Sequence, residues 1–326
     1  MTLLLSDADI RAVLGWRPAV DALRAAYATA GDGARYPRRS IARGDGTWLR
    51  VLPGVPGDGG LMGAKIIAAA PRAGRVSYLI ALFDQATTQL VALIDGNTVT
   101  GYRTAATSAL AADLLAVPGP LTVGVLGSGF EAGKHLRAIA AIRDVTSARV
   151  YSPRAASRER FAAEFATAGF PVAPAASAEE AVGGAALVTC AARSHDESPV
   201  LLGQWLSAGM TVVSVGSTVP EQREVDPETI ARAGVIVADV VGEVLHDTGD
   251  LIAARAAGTV ADGRVASLAD LVSGAFAGRE DKEQIALYKS VGSAVQDLAV
   301  AAMCVRAALD GGLGARAAVP VEVVLK

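Results

Sequence analysis

The stretch Thr122-Val-Gly-Val-Leu-Gly-Ser-Gly-Phe-Glu-Ala-Gly-Lys-His135 decides the fold. Thr122 to Leu126 shows strand-like alternation, Gly127-Ser128-Gly129 ends it, and Phe130 to Ile142 carries Ala, Leu and Ile at helical spacing. Strand, glycine turn and helix in that order form the geometry that holds a dinucleotide. The pyrophosphate rests against free backbone N–H groups at the helix N-terminus, and only glycine lets the backbone come close enough. Gly127 is expected to make the tight turn, Gly129 to admit the phosphates and the small Ala132 to let the helix pack on its strand. An ordinary tight strand-to-helix turn has the same local pattern, so the surrounding sequence must support the assignment.

It does. Strand candidates at Ala148 to Ser152, Ala186 to Cys190, Thr211 to Val215 and Val235 to Asp239 alternate with helical or loop segments. Such alternation indicates an α/β chain with a Rossmann-type, doubly wound parallel sheet. Upstream, Ala116-Val-Pro-Gly-Pro120 separates this region from an Ala-rich helix opened by Thr100-Gly-Tyr-Arg-Thr. The first part has an α+β pattern. Ser6 is a candidate N-cap, Trp16 to Ala30 a helix, and Leu61 to Ala69, Tyr78 to Asp84 and Gln89 to Asp95 are strands, the last two joined at hairpin distance. At the other end, Ile285 to Leu309 has apolar residues at helical spacing and is expected to be one long helix packing back on the N-terminal part.

The cofactor preference is written in the second strand of the parallel sheet. NAD enzymes place an acid about 20 residues past the glycines, where it accepts hydrogen bonds from the ribose hydroxyls. Here Val150-Tyr-Ser-Pro-Arg-Ala-Ala-Ser-Arg158 has no acid before Glu159 and offers Ser152, Arg154, Ser157 and Arg158 at a helix start. Hydroxyl donors and guanidinium groups suit a 2′-phosphate. NADP(H) is therefore expected, with NAD(H) as the less favoured cofactor; solvated side chains on a helix's first turn are the alternative.

Among the remaining polar residues, Lys65 interrupts the apolar run Leu61-Met-Gly-Ala-Lys-Ile-Ile-Ala-Ala-Ala70. Desolvation there would lower its proton affinity into a useful range, whereas a sheet-edge lysine would instead extend its head to water. Arg103 in the first turns of its helix is either a carboxylate fork or a surface arginine. Glu224 and Asp226 either line a site after the fourth strand or cap the helix leading to Ala231, and His246 in His246-Asp-Thr-Gly-Asp250 has the character of a surface residue.

Composition narrows the function classes. The 326 residues suffice for two domains, 52% hydrophobic and 5% aromatic content with 35 glycines suits tightly packed α/β layers, and a net charge of −3 without basic clusters points away from nucleic acid and membrane surfaces. Two cysteines, Cys190 and Cys304, and three isolated histidines, His135, His195 and His246, offer neither a disulfide framework nor metal-ligand spacing. With no basic leader and no long apolar run, a soluble cytoplasmic protein is expected.

Taken together, Pro37-Arg-Arg39, Gly63-Ala-Lys65, Leu82-Phe-Asp84, Thr100-Gly-Tyr-Arg-Thr-Ala-Ala106, Gly127-Ser-Gly-Phe-Glu-Ala132, Pro220-Glu-Gln-Arg-Glu-Val-Asp226 and Lys289-Ser-Val-Gly292 resemble the ornithine cyclodeaminase/mu-crystallin family. The resemblance runs from about Tyr36 to about Ala301. It implies a homodimer with a substrate and dimerisation domain at residues 1–116, a dinucleotide-binding domain at 117–288 and a C-terminal helix, 289–326, returning to the first domain. It also implies that Arg39, Lys65 and Arg103 hold an amino or imino acid carboxylate facing the nicotinamide. To Gly127, Ser128, Gly129, Ala132, Ser152, Arg154 and Ser157 it adds Thr104, Phe130, Glu131, Cys190, Ala191, Ser217 and Val291 as cofactor contacts.

One departure redirects the expected activity. Cyclodeaminases of this family carry an aspartate in the loop after the fourth strand, and Thr218 occupies that place here. A threonine cannot serve as a carboxylate base. The mu-crystallin branch also lacks the acid and resembles an NADPH-dependent ketimine reductase. The expected activity is thus NADP(H)-dependent reduction of a small α-imino acid, such as Δ1-pyrroline-2-carboxylate or Δ1-piperideine-2-carboxylate, to the amino acid. An alanine-type amino acid dehydrogenase, an ornithine cyclodeaminase and a non-catalytic NADP(H)-dependent small-ligand binding protein are the alternatives.

Overall fold

The computed structural model describes residues 1–31, 33–192, 198–260, 263–319 and 321–324; His195 lies outside them. The chain forms two compact units, residues 1–107 with 293–326, and residues 108–292. The first contains β1 (Thr2–Leu5), α1 (Asp7–Val13), α2 (Trp16–Ala28), β2 (Ser40–Gly44), β3 (Thr47–Gly54), β4 (Leu61–Ala70), β5 (Arg75–Asp84), β6 (Leu90–Asp95) and the start of α3 (Gly96–Leu115), which runs on into the second. The second continues with β7 (Leu121–Leu126), α4 (Phe130–Ala140), β8 (Val145–Tyr151), α5 (Ala155–Glu164), β9 (Val172–Pro174), α6 (Ala178–Val182), β10 (Leu187–Cys190) and β11 (Thr211–Ser214). It ends with α7 (Pro227–Arg232), β12 (Ala233–Ala238), α8 (Val241–Asp247), α9 (Gly249–Ala256), β13 (Val265–Ser267), α10 (Leu268–Ser273) and β14 (Ile285–Lys289). The chain then returns to the first unit through α11 (Ala294–Asp310) and β15 (Ala315–Ala317).

The first unit is a seven-stranded sheet in the order β15-β1-β6-β5-β4-β3-β2. Its β2-β3-β4-β5-β6 part is antiparallel, as short turns between sequential strands require. Alternation along the strands places Leu52, Lys65, Ile67, Ile80 and Leu82 on the buried face. Helix α11 covers that face, with Ala294 packed against Leu52 and Ile67. Gly54 makes the close approach possible, since a Cβ there would lie 2.8 Å from both Leu298 and the Tyr36 ring. On the opposite face the apolar residues Leu49 and Leu79 are 44% and 41% exposed.

The second unit is an eight-stranded sheet, β13-β12-β14-β11-β10-β7-β8-β9, and every pairing in it is parallel. This is the doubly wound Rossmann-type architecture expected from the alternation of strands and helices. Strand order reverses direction at β7, which has β8 on one side and β10 on the other. The crevice at the carboxyl ends of these strands is where such sheets take ligands.

The structure corrects one element. Ile285 to Leu309 is not a single helix: Ile285–Lys289 is a fully buried strand between β11 and β12, and the helix begins only at Ala294. A short apolar run buried on all sides carries no periodicity that separates strand from helix. The break itself is local, because Gly292 sits at φ +82°, a conformation that glycine adopts without strain.

Candidate functional site

In the second unit the glycine turn has the form anticipated from its sequence. Gly127 has φ +112°, and a Cβ there would meet the Ala191 carbonyl oxygen at 2.6 Å, so the loops after β7 and β10 touch at the switch point only because residue 127 is glycine. Gly129 is the N-cap of α4, provides no side-chain cap and has open space where a Cβ would project. Free N–H groups and room above them are what a pyrophosphate needs, so the residues fit a dinucleotide. Ala132 is fully buried beneath the turn, whereas Phe130 is 60% exposed with Lys134 over its ring, and Glu131 is half-buried.

The Ser128 hydroxyl donates to Ser152 Oγ at 2.8 Å, linking the ends of β7 and β8. Arg154 is the exposed N-cap of α5, whose first N–H groups receive no side-chain cap. Ser157 is buried, and Arg158 donates to the Ser152 carbonyl at 2.9 Å while lying over the Tyr151 ring. Only Arg154 of this group thus keeps an exposed charge.

Cys190 ends β10 and Ala191 follows it, and burial pushes the Cys190 thiol well above its ordinary range, with the nearby Glu224 carboxylate adding to the effect. Ser217 donates to the Gln222 carbonyl at 2.6 Å, and the N–H of Thr218 reaches Gln222 Oε1 at 3.2 Å. The Val291 N–H donates to Asp239 at 3.0 Å. The hydroxyl of Thr104, in α3, donates to the Thr100 carbonyl at 2.8 Å.

Beneath these loops lies a polar network that the sequence analysis did not assemble. Asp226 caps α7 through the Thr229 N–H at 2.8 Å, whereas Glu224 caps nothing and is fully buried. Its carboxylate accepts from the N–H groups of Ala192 (2.9 Å) and Gly216 (2.7 Å) and from the Ser214 hydroxyl (2.7 Å). Lys289 donates to Ser214 Oγ at 2.9 Å and pairs with Asp250 at 2.7 Å, while Asp250 accepts from the Glu224 N–H at 2.7 Å. Burial pushes the Glu224 carboxyl up to about 7 against the pull of Lys289. His246 is exposed at the end of α8.

In the first unit the apolar strand β4 carries Lys65 to the interior, 1% exposed, instead of to a sheet edge. Its Nζ donates to Asp297 Oδ1 at 2.7 Å. Arg103 Nε lies 2.9 Å from the same oxygen, an ion pair set too obliquely for a hydrogen bond. The Nη1 of Arg103 donates to Gln296 Oε1, and Gln296 Nε2 donates to the Tyr27 hydroxyl at 2.9 Å. Arg39, half-buried, is close enough for its charge to act on Lys65. Burial first, then the Arg103 charge, lower Lys65 to about 7; Asp297 opposes both, and Arg39 adds to the lowering.

Two buried cations, Lys65 and Arg103, therefore share one oxygen of a buried carboxylate. Among the described residues no donor reaches Asp297 Oδ2. The sequence analysis missed Asp297 and Gln296, although they are the two polar residues in Ala294-Val-Gln-Asp-Leu-Ala-Val-Ala-Ala-Met303. Two adjacent polar side chains in so apolar a helix were the signal.

A parallel sheet with an uncapped glycine turn at its switch point, in a chain whose other unit holds a buried cation pair, defines a Rossmann-type dinucleotide-dependent protein. The chain belongs to the ornithine cyclodeaminase/mu-crystallin family, whose profile matches residues 4–312. It is 32% identical over 222 residues to a ketimine reductase mu-crystallin of Mus musculus, covering 68% of this chain and 66% of the mouse protein. It is 29% identical over 273 residues to a Δ(1)-pyrroline-2-carboxylate reductase of Bacillus cereus, covering 82% and 83%. The solved Δ(1)-pyrroline-2-carboxylate reductase of Thermococcus litoralis, in complex with NADH and L-proline, superposes with a TM-score of 0.90 at 28% identity over 97% of this chain and 100% of that one.

Proposed function

We propose that the protein is an NADP(H)-dependent reductase of a small α-imino acid, converting a ketimine such as Δ1-pyrroline-2-carboxylate or Δ1-piperideine-2-carboxylate into the amino acid. The broader activity, a nicotinamide-dependent oxidoreductase acting on carbon–nitrogen bonds, is supported by the mouse and Bacillus relatives and the Thermococcus structure. The observation that carries the finer reading is the pair of buried cations, Lys65 and Arg103, set against one oxygen of a single carboxylate, Asp297. Buried charge of one sign is costly until an ion of the other sign arrives, so the cluster suits an anionic substrate.

Arg103 and Arg39 hold the substrate carboxylate, and a planar guanidinium offers it two parallel N–H bonds. Lys65 hands a proton to the imine nitrogen. At about 7 its proton affinity matches a donor working near neutral pH. Reduced nicotinamide, when bound, supplies hydride to the imine carbon. Gly127, Ser128, Gly129 and Ala132 form the phosphate seat. The uncapped α5 start with Arg154 favours a 2′-phosphate, and Thr218 supports reduction over cyclodeamination. The apolar outer face of β3 and β5 suits a second copy of the chain, hence a homodimer.

The test is oxidation of NADPH and NADH with both cyclic imino acids. Turnover with NADPH and no ammonia requirement supports the reading. Obligatory ammonia with a 2-oxo acid would identify a dehydrogenase, proline formed from ornithine a cyclodeaminase, and tight NADPH binding without turnover a binding protein. Arg154→Ala is expected to raise the KM for NADPH about tenfold or more and to leave NADH use unchanged, since one charge-assisted contact contributes roughly 1.5–3 kcal/mol.

A further inference from the structure

We propose that Asp297 is a positioning residue of this reaction: on one carboxylate oxygen it holds the Lys65 ammonium beside the Arg103 guanidinium, fixing the direction of the lysine and keeping the proton on it. The inference rests on the imine-reductase reading for its role in turnover, but its physical core concerns Lys65 alone.

The geometry assigns the task to Asp297. Lys65 projects from β4 between the apolar neighbours Leu52 and Ile80 to which its residue pairs across the sheet. Asp297 Oδ1 is its acceptor at 2.7 Å, and both side chains are almost wholly removed from water, at 1% and 0% exposure. An ammonium carries three donors, so two remain for a ligand once Asp297 has fixed the first. The groups that face Lys65 are Arg103 from α3, Arg39 ahead of β2 and Asp297 from α11. Of these, Asp297 alone attracts the lysine's proton, while burial and both arginines drive it off. Arg103 does not depend on Asp297 in the same way, because Gln296, itself held by Tyr27, takes its Nη1. Neighbouring residues of one helix turn thus steady the two cations separately: Gln296 orients the arginine and Asp297 the lysine.

Lysine-resolved NMR on the unliganded protein follows the protonation of Lys65 directly, its signal identified by loss in Lys65→Arg. Wild type is expected to titrate at about 7, and Asp297→Asn at least about one pH unit lower, because one opposite charge within hydrogen-bond distance shifts a buried group by that much or more. In turnover, the fall of kcat with rising pH should move to lower pH in Asp297→Asn by the same amount, while KM for the imino acid changes little. An unmoved Lys65 titration in folded Asp297→Asn overturns the proposal. Should that variant not fold, Asp297→Glu decides: with the carboxylate one methylene displaced, kcat should drop about tenfold or more with the pH limb near its wild-type place, and a wild-type kcat overturns the proposal. The NMR arm needs no substrate. A wild-type protein that reduces no imino acid therefore refutes the functional reading and still leaves the Asp297–Lys65 coupling decided by its titration.

Discussion

Lys65 and Lys289 are both buried, each 2.7 Å from a carboxylate oxygen, one in each unit of the chain. Around Lys65 the balance is two cations to one carboxylate, since Lys65 and Arg103 share Asp297. Around Lys289 the balance is reversed, as Asp250 and Glu224 share one ammonium. The second cluster spreads its excess over backbone donors, although Asp250 Oδ2, 2.7 Å from the Lys289 ammonium, takes no hydrogen bond among the described residues. Glu224 accepts from two backbone N–H groups and a hydroxyl, and Asp250 accepts from the N–H groups of Glu224 and Val225. In the first, Asp297 Oδ2 has no donor among the described residues, and both Lys65 and Arg103 meet the other oxygen of that one carboxylate. A buried ion cluster completed by its own backbone is scaffold, and one left with unbalanced charge is suited to receive a ligand.

Substitution of the two lysines should separate these roles most sharply. Lys65→Met is expected to lower imine reduction by about 10²–10⁴-fold, the range of a lost general acid. Its thermal midpoint should be unchanged or higher, because Asp297 keeps Arg103 as a partner and a desolvated charge is gone. A clear loss of Tm in Lys65→Met would place the first cluster with the second. Lys289→Met should do the reverse and cost about 3–5 kcal/mol in urea unfolding, since it strands two carboxylates in the interior. A stability within about 1 kcal/mol of wild type would show that the Glu224–Asp250 pair does not need its cation.

His135 supplies a buried base with no surplus charge to manage. Its Nδ1 faces the Glu131 carbonyl at 2.7 Å and therefore carries the proton, so Nε2 accepts from the Ser108 hydroxyl at 3.0 Å. Burial lowers it to about 4 from 6.5. The neutral ring is the folded form, so the unfolded chain binds the extra proton first: stability should be unaffected above pH 6.5 and fall by about 3 kcal/mol as pH drops to 4. A His135→Gln variant whose acid unfolding matches wild type would remove that contribution. The smallest effect is expected for Ser108→Ala, about 1 kcal/mol in denaturant unfolding, from the loss of one neutral hydrogen bond.

Much of this was legible in the chain because it is local. Gly127-Ser-Gly129 names its own structure through the conformations that glycine alone adopts easily, and the parallel sheet follows from strands and helices in alternation. Lys65 was conspicuous because a single cation in an apolar strand has to be explained, although its neighbours left two explanations open. That it is interior depended on which strands flank β4, a matter of tertiary pairing.

Partners remote in sequence were not legible. Lys65 and Asp297 are 232 positions apart, and Glu224 meets Ala192 across 32, so no spacing rule connects either pair. Ile285–Lys289 shows the same limit in the backbone, since a short apolar run becomes strand or helix according to the slot that receives it, here between β11 and β12. The sequence by itself determined the glycine turn between β7 and α4, the strand that carries Lys65 and the α/β architecture, because turn chemistry and hydrophobic period act over a few residues. Tertiary structure decided which carboxylate each buried lysine meets, and with it the sign of the charge left over, because that depends on elements brought together only when the chain folds.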